Sequence, residues 1–141
     1  MPTPIDPWLA DLIQTHLDSL AADMIAYVRQ SSPAHQRLDP AAVRAGFVAF
    51  YQALAAVVAT GDPAPMRTHL RQVIPLRLQA GASGADLVRL VDTLQEQVLQ
   101  LIDAAAGAPA QAQSARRHLT TVQNNVRLIV SEINLQHLGD S

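Results

Sequence analysis

The sequence predicts an all-α fold, and three observations support that prediction. Two long segments have apolar residues at alternating steps of three and four, the spacing of one face of an α-helix. The pairs Asp6-Pro7, Asp39-Pro40 and Asp62-Pro63 each place a capping carboxylate before a proline suited to the first helical position. No segment shows sustained period-two alternation or an Asn-Gly or Asp-Gly turn, so no strand is predicted.

The three Asp-Pro pairs begin the first three of five main helices. The first helix is predicted from Pro7 to about Gln30. The second runs from Pro40 to about Thr60, where Gly61 suits the left-handed residue that ends many helices. The third runs from Pro63 to about Ala80. Pro75 lies inside it and predicts a kink or a break, because proline removes a backbone hydrogen bond.

The fourth and fifth helices contain the two apolar stripes. The fourth is predicted from Ser83 to Ala106, with Ser83 as its cap and the Asp86 carboxylate in its positive first turn. The fifth runs from about Gln111 to His137 or Leu138. The stripe residues are Leu87, Val91, Leu94, Val98 and Leu101 in the fourth helix, and Leu119, Val122, Val126, Ile129 and Ile133 in the fifth.

These two stripes allow two interpretations. They either face the chain's own core, or they form the seam of a homodimer in which two helical hairpins make a four-helix bundle. The stripes alone favour the chain's own core. Four further apolar residues of the fifth helix lie off its stripe, which is typical of a helix that contacts a second subunit or a following domain. They are Leu128, Val130, Leu135 and Leu138.

Composition excludes several classes of function. The 141 residues suffice for one domain, 1–141, and the formal net charge is −2 with no basic run, so nucleic acid is not an expected partner. The absence of cysteine excludes disulfides and thiolate chemistry. The N-terminal stretch MPTPIDPWLADLI does not resemble a signal peptide, and no segment approaches the ~20 apolar residues of a membrane span. We therefore expect a cytoplasmic protein without a membrane anchor.

No constellation of residues predicts catalysis. The two glutamates lie in different helices, no helical metal-ligand pair is present, and no nucleophile or phosphate-binding motif occurs. We therefore predict a protein that is not an enzyme and holds no metal or cofactor. One alternative is a haem-binding globin-type sensor, for which His69 is the only histidine at a plausible position for the axial ligand.

Two groups of residues are candidates for ligand contact. Arg67, Arg71 and Arg77 in the third helix could receive an anion or an acidic partner, although a solvated helix face is the simpler interpretation. A pocket between the second helix and Pro75 would suit a small-molecule-binding regulator, although ordinary core is the simpler interpretation of these side chains. The residues expected to line this pocket are Phe47, Phe50, Tyr51 and Leu70.

The segment 47–102 resembles the N-terminal domain of RsbR-type co-antagonists, the sensor proteins of bacterial stressosomes. The family pattern is a helix ending near Gly-Asp-Pro, a helix with an arginine near its end, a glycine, and a small polar cap before a long Leu- and Val-rich helix. The matching residues here are Gly61-Asp62-Pro63, Arg77, Gly81 and Ser83, followed by Asp86, Leu87 and Leu90.

This resemblance implies a globin-like domain without haem that dimerises through its last two helices. It therefore favours the dimer interpretation of the stripes, with the ten stripe residues at the interface. It also implies a non-enzymatic sensory and dimerisation module in stress signalling, which would transmit a signal through its C-terminal helix. In the family this domain precedes a STAS (sulphate transporter and anti-sigma antagonist) domain. Residues 111–138 would then be an exit helix, and STAS-domain or other stress-signalling proteins would be partners.

Overall fold

The chain folds into helices joined by short turns. The computed structural model describes residues 5–140, without the side chain of Asp140. Residues 1–4, part of the stretch predicted not to be a signal peptide, lie outside the described residues. Over residues 5–140 the structure has seven helices and no strand, which confirms the all-α prediction. The helices are α1 (Pro7–Thr15), α2 (Leu17–Ser31), α3 (Pro33–Gln36), α4 (Pro40–Thr60), α5 (Ala64–Gln79), α6 (Gly84–Ala105) and α7 (Pro109–Asp140).

The predicted helix starts are confirmed by their capping contacts. The Asp6 carboxylate accepts the N–H of Leu9 at 3.0 Å, and the Asp62 carboxylate accepts the N–H of Ala64 at 3.0 Å. At the start of α6, Ser83 and Asp86 each accept the backbone N–H of the other at 3.0 Å. These bonds satisfy N–H groups that the first turn of a helix leaves without an internal partner.

The first predicted helix is divided in the structure. One helix from Pro7 to Gln30 is wrong, because the chain leaves helical geometry at His16, which separates α1 from α2. The ring Nδ1 of His16 lies 2.9 Å from the carbonyl oxygen of Leu12, and its backbone N–H bonds to Ile13 instead of continuing the helical pattern. A histidine side chain that contacts a carbonyl of the preceding turn competes with the backbone hydrogen bonds of the helix. No pattern in the sequence predicts this contact.

The break predicted at Pro75 is absent. Helix α5 continues through that residue to Gln79, and Gly81, two residues after the helix ends, has a φ of 106°. The N–H of Ala82 bonds to the carbonyl of Arg77 at 3.0 Å, and the N–H of Gly81 bonds to Leu78 at 3.1 Å. This pair of bonds is a Schellman motif, which needs a left-handed residue and therefore favours glycine.

The two apolar stripes are covered within a single chain. Of the ten residues assigned to a subunit interface, all except the half-buried Leu101 are buried in the lone subunit. The stripes of α6 and α7 face each other, α7 also packs on α4 and α5, and α6 also contacts α1 and α2. Gln123 fixes the register, because its side-chain amide donates to the carbonyl of Val91 in α6 at 3.0 Å. The premise that these stripes need a second subunit is therefore wrong.

Helix α4 is the central apolar helix, and it packs on α1, α2 and α5. Within the described residues it is the one helix whose length and composition would allow it to cross a membrane, and half of its apolar window is buried in the fold. The prediction that no segment has such a composition is therefore wrong for α4. A helix that forms the core of a domain has the same composition as a membrane span.

The C-terminal half of α7 leaves an apolar face uncovered. Leu128, Leu135 and Leu138 are 63%, 69% and 69% exposed. Their spacing of seven and three residues places them on one side of the helix. Asn124 and Ser131 are exposed on the same side. We call this set of five residues the outer face of α7. Val130, the fourth apolar residue outside the stripe, is fully buried.

Candidate functional site

An interior cavity of about 40 Å³ lies where α4, α5, α6 and α7 meet. Three of the four predicted pocket residues, Phe47, Phe50 and Leu70, line it. The fourth, Tyr51, is fully buried beside Phe50, with the two ring centroids 5.7 Å apart, and does not line the cavity. Helices α6 and α7 complete the wall with apolar side chains that include Leu87, Leu94 and Val130. The only ionisable side chains in the lining are those of His69 and Arg77.

Arg77 is the most unusual residue of this cavity. It is only 7% exposed, and among residues 5–140 it has no ion pair and no side-chain hydrogen bond. Burial lowers the pKa of its guanidinium from the usual range. An arginine in a protein keeps its charge, and the guanidinium nitrogens of Arg77 are not fully enclosed, because they border the surface between α4 and α5. A largely buried arginine that has no carboxylate partner among the described residues is therefore a candidate for binding an anion.

The other two arginines of the predicted group lie elsewhere. The guanidinium of Arg67 is 3.2 Å from the carboxylate of Glu132 in α7, and Arg71 is exposed. The interpretation of a solvated face therefore applies to Arg71, and Arg67 forms a surface ion pair. The structure places only Arg77 in the cavity.

Two features of the backbone hold Arg77 in this position. The Schellman motif that ends α5 begins at its carbonyl, so the last turn cannot unwind without loss of that bond. Across from it, Gly46 in α4 lets the guanidinium approach the helix closely. A Cβ at residue 46 would lie 2.6 Å from Nη2 of Arg77. Glycine inside a helix is usually unfavourable, and here its absent side chain makes room for the cation.

Two neutral histidines lie near this cation. Burial, and then the charge of Arg77, lowers the pKa of His69, whose ring contacts Phe50 edge-on at 6.0 Å. Burial and Arg77 also lower the pKa of His35 to about 4, against an opposing effect of Asp86. The ring of His35 stacks on Phe47 with centroids 6.4 Å apart, and its buried Nε2 has no hydrogen-bond partner among residues 5–140. At neutral pH, Arg77 is therefore the only charged group of this cluster.

The cavity adjoins a surface groove of about 340 Å³ between α4 and α5. Gly46, His69, Val73 and Arg77 line both spaces, so the guanidinium lies at their common wall. The rest of the groove is mainly apolar and comprises Leu38, Ala42, Ala45, Ala49, Gln72 and Leu76. Leu76 is 60% exposed there. A molecule in the groove could reach Arg77 without unfolding any helix.

The close approach of Gly46 and Arg77 predicts that a commonly stabilising substitution has a smaller effect here. Gly→Ala inside a helix normally stabilises by about 0.5–1 kcal/mol. The gain from Gly46→Ala is expected to be smaller, because the new methyl must displace the guanidinium at the flexible end of Arg77. In the Arg77→Met background the same change is expected to give the full stabilisation. Urea denaturation of the four proteins in a double-mutant cycle measures this coupling, and additive effects would contradict the contact.

The cavity does not fit haem. A space of about 40 Å³ holds a few water molecules, and the ring of His69 is packed against Phe50. A porphyrin would require α4 and α5 to separate. As to metals, residues 5–140 contain no group of three or more potential ligand side chains.

Sequence reasoning found part of this site. Aromatic residues on α4 and the arginines of α5 were recognisable from their helical spacing, but Gly46 and His35 were missed. A glycine inside an otherwise strong apolar helix is a usable signal of close approach by a neighbour. His35 had no such signal, because only the folding of α3 against α4 brings it to Phe47.

No known family model matches this chain, and neither the curated proteins nor the solved structures include one that is similar to it.

Proposed function

We propose that this chain is a non-enzymatic sensory and dimerisation module in a bacterial stress-signalling pathway. The observation that carries the proposal is the outer face of α7, on which Leu128 and Leu135 are aligned and are 63% and 69% exposed. Monomeric proteins rarely leave aligned large apolar side chains uncovered. Two copies that pair through this face would cover them.

The composition of the outer face suits pairing between identical helices. Leu128 and Leu135 are seven residues apart, and Asn124 and Ser131 alternate with them at steps of three and four. That arrangement is the heptad spacing of a two-helix seam, and a polar residue such as Asn124 can fix the register of such a seam. This seam replaces the one predicted from the buried stripes and uses the same helix.

The resemblance to RsbR-type N-terminal domains supports the signalling part of the proposal. It covers 47–102, in which the residues that match the pattern end one helix and begin the next, as the family pattern requires. The globin-like relationship, the stress pathway and a STAS-domain partner follow from that resemblance, as does the cytoplasmic location. Helix α7 would connect the sensing part to the partner, since its residue Val130 lines the cavity and its opposite side carries the outer face.

The double substitution Leu128→Glu and Leu135→Glu tests the dimer. Four carboxylates would face each other across a two-fold seam, so we expect the mass from light scattering to fall from dimer to monomer. The helical circular dichroism should be unchanged, because both residues are exposed within one chain. The matched control is Gln52→Glu with Gln79→Glu, which adds the same charge at exposed positions of α4 and α5 and should stay dimeric. A wild-type protein that remains monomeric at high concentration would contradict the proposal.

A second candidate function is a small-molecule-binding helical regulator, and one specific observation favours it. Arg77 is 7% exposed, has no ion pair among residues 5–140, and lies where a groove meets a cavity. The two functions are compatible, because a sensory module needs a site for its signal.

A further inference from the structure

We propose that the groove between α4 and α5 binds a small organic monocarboxylate, with the carboxylate on the guanidinium of Arg77 and an uncharged apolar body along the groove. This inference rests on the proposed function, because it names the chemical class of the signal that the module would sense.

The single positive charge of Arg77 indicates a ligand that carries one negative charge. Arg77 is 7% exposed and lacks any carboxylate within ion-pair distance among residues 5–140. The titratable groups near Arg77 are His35 and His69, which are neutral at pH 7, and Asp86, whose charge acts on His35. Asp86 is already engaged by Ser83 and by the guanidinium of Arg89. A monoanion would therefore neutralise the site, whereas a dianion would leave an excess negative charge in an apolar wall.

The hydrogen-bond donors at the site suit a carboxylate better than a phosphate. Arg77 presents a planar fork of N–H groups that matches the two oxygens of a carboxylate. The ring of His69 makes no hydrogen bond among residues 5–140 and could donate one more. Phosphate sites usually add backbone N–H groups or further cations. The wall shared by the groove and the cavity consists of Gly46, His69, Val73 and Arg77, which belong to helix interiors and provide neither.

The shape of the site defines the rest of the ligand. The interior cavity of about 40 Å³ is too small for more than the head group, so the body must lie in the groove of about 340 Å³. Ala42, Ala45 and Ala49 form one flat apolar side of that groove, and Leu76 forms the other. A short unbranched or branched aliphatic chain fits this mainly apolar lining, in which, besides His69 and Arg77, Gln72 offers a polar side chain that a sugar or a nucleotide could contact.

Helix α7 connects the site with the proposed dimer face. Val130 of α7 lines the cavity, and Leu128 lies two residues away on the solvent side of the same helix. The ion pair between Arg67 and Glu132 also joins α5 to α7. A carboxylate that moves the guanidinium would therefore act on side chains packed directly against α7.

A thermal-shift titration with sodium butyrate tests the site, with butyramide and sodium chloride at matched concentration as controls. We expect butyrate alone to raise the melting temperature of the wild-type chain by several degrees, because a ligand of the native state stabilises it by mass action. Arg77→Met should remain helical by circular dichroism and lose this shift. Arg71→Met removes an exposed arginine six residues away on the same helix and should keep it.

Gly46→Ala provides a second variant if Arg77→Met does not fold. Its methyl would displace the guanidinium, so butyrate should bind at least tenfold more weakly than to the wild type. The proposal is overturned if butyrate gives no shift, if Arg77→Met keeps the shift, or if chloride or inorganic phosphate gives the same shift. Light scattering of the Leu128→Glu and Leu135→Glu variant is independent of butyrate. A failed titration beside a confirmed dimer would therefore reject the ligand class and leave the proposed module intact.

Discussion

Leu119→Ala is expected to lower the free energy of unfolding by about 2–5 kcal/mol, the range for a buried leucine cut back to alanine. Leu119 is fully buried in α7 and belongs to the stripe that packs inside the single chain. The effect should therefore be the same at every protein concentration at which unfolding is measured. Urea denaturation followed by circular dichroism at low and at high concentration measures it.

Leu128→Ala is the matched control for this prediction. It removes the same atoms from the same helix, nine residues further along, but Leu128 is 63% exposed within one chain. At concentrations too low for dimer formation its effect should stay within about 0.5 kcal/mol. A loss for Leu119→Ala that appears only at high concentration would instead place its stripe at a subunit interface and contradict the packing described above.

Acidification is expected to destabilise the fold through His35. Burial and Arg77 lower the pKa of its imidazole from 6.5 in the unfolded chain to about 4 in the folded one. Above pH 6.5 both states are neutral and the group has no effect. As the pH falls from 6.5 toward 4, the unfolded chain binds the proton first, so the free energy of unfolding decreases. The loss from this one group is smaller than the ~3 kcal/mol that the full pKa shift would give, because solvent partly screens the ring.

His35→Leu isolates this effect from that of the other titratable groups. The charged residues that influence His35, Arg77 and Asp86, are unchanged in the variant. Unfolding free energies of both proteins at a series of pH values between 7 and 4 give the comparison, and the wild type should have the steeper decline. Parallel curves would show that His35 is exposed to solvent or already protonated in the native state, and would contradict its placement against Phe47.

The helices were predictable because their signals are local. The caps at Asp6, Asp62 and Ser83 depend on side chains that bond to the backbone two or three residues away. Two local tendencies did not hold. At His16 the side chain contacts the carbonyl of Leu12 and the predicted single helix is divided. At Pro75 helix α5 continues without the break that an internal proline usually causes. Stripe periodicity is local as well, so it identified the buried faces of α6 and α7.

What covers each stripe could not be predicted, because that depends on the angles between distant helices. The buried stripes were assigned to a partner subunit, yet α4 and α5 cover α7 from the same chain. The leucines that remain uncovered are those that lay off the stripe. The same limit applies to the site, since Gly46, His69 and Arg77 meet only after α4 and α5 have packed.

The interspin distance between two copies of the chain tests the central claim most directly. The native chain has no cysteine, so Gln136→Cys introduces a single attachment site for a nitroxide at an exposed position of α7 beside the outer face, without placing the label inside the seam. Pulsed electron resonance should detect an intermolecular distance within about 30 Å, because packed helix axes lie about 8–10 Å apart. A label at Gln52→Cys on α4 should give a longer distance or none. If Gln136→Cys shows no intermolecular distance, or a longer one than Gln52→Cys, then α7 is not the helix through which two copies pair.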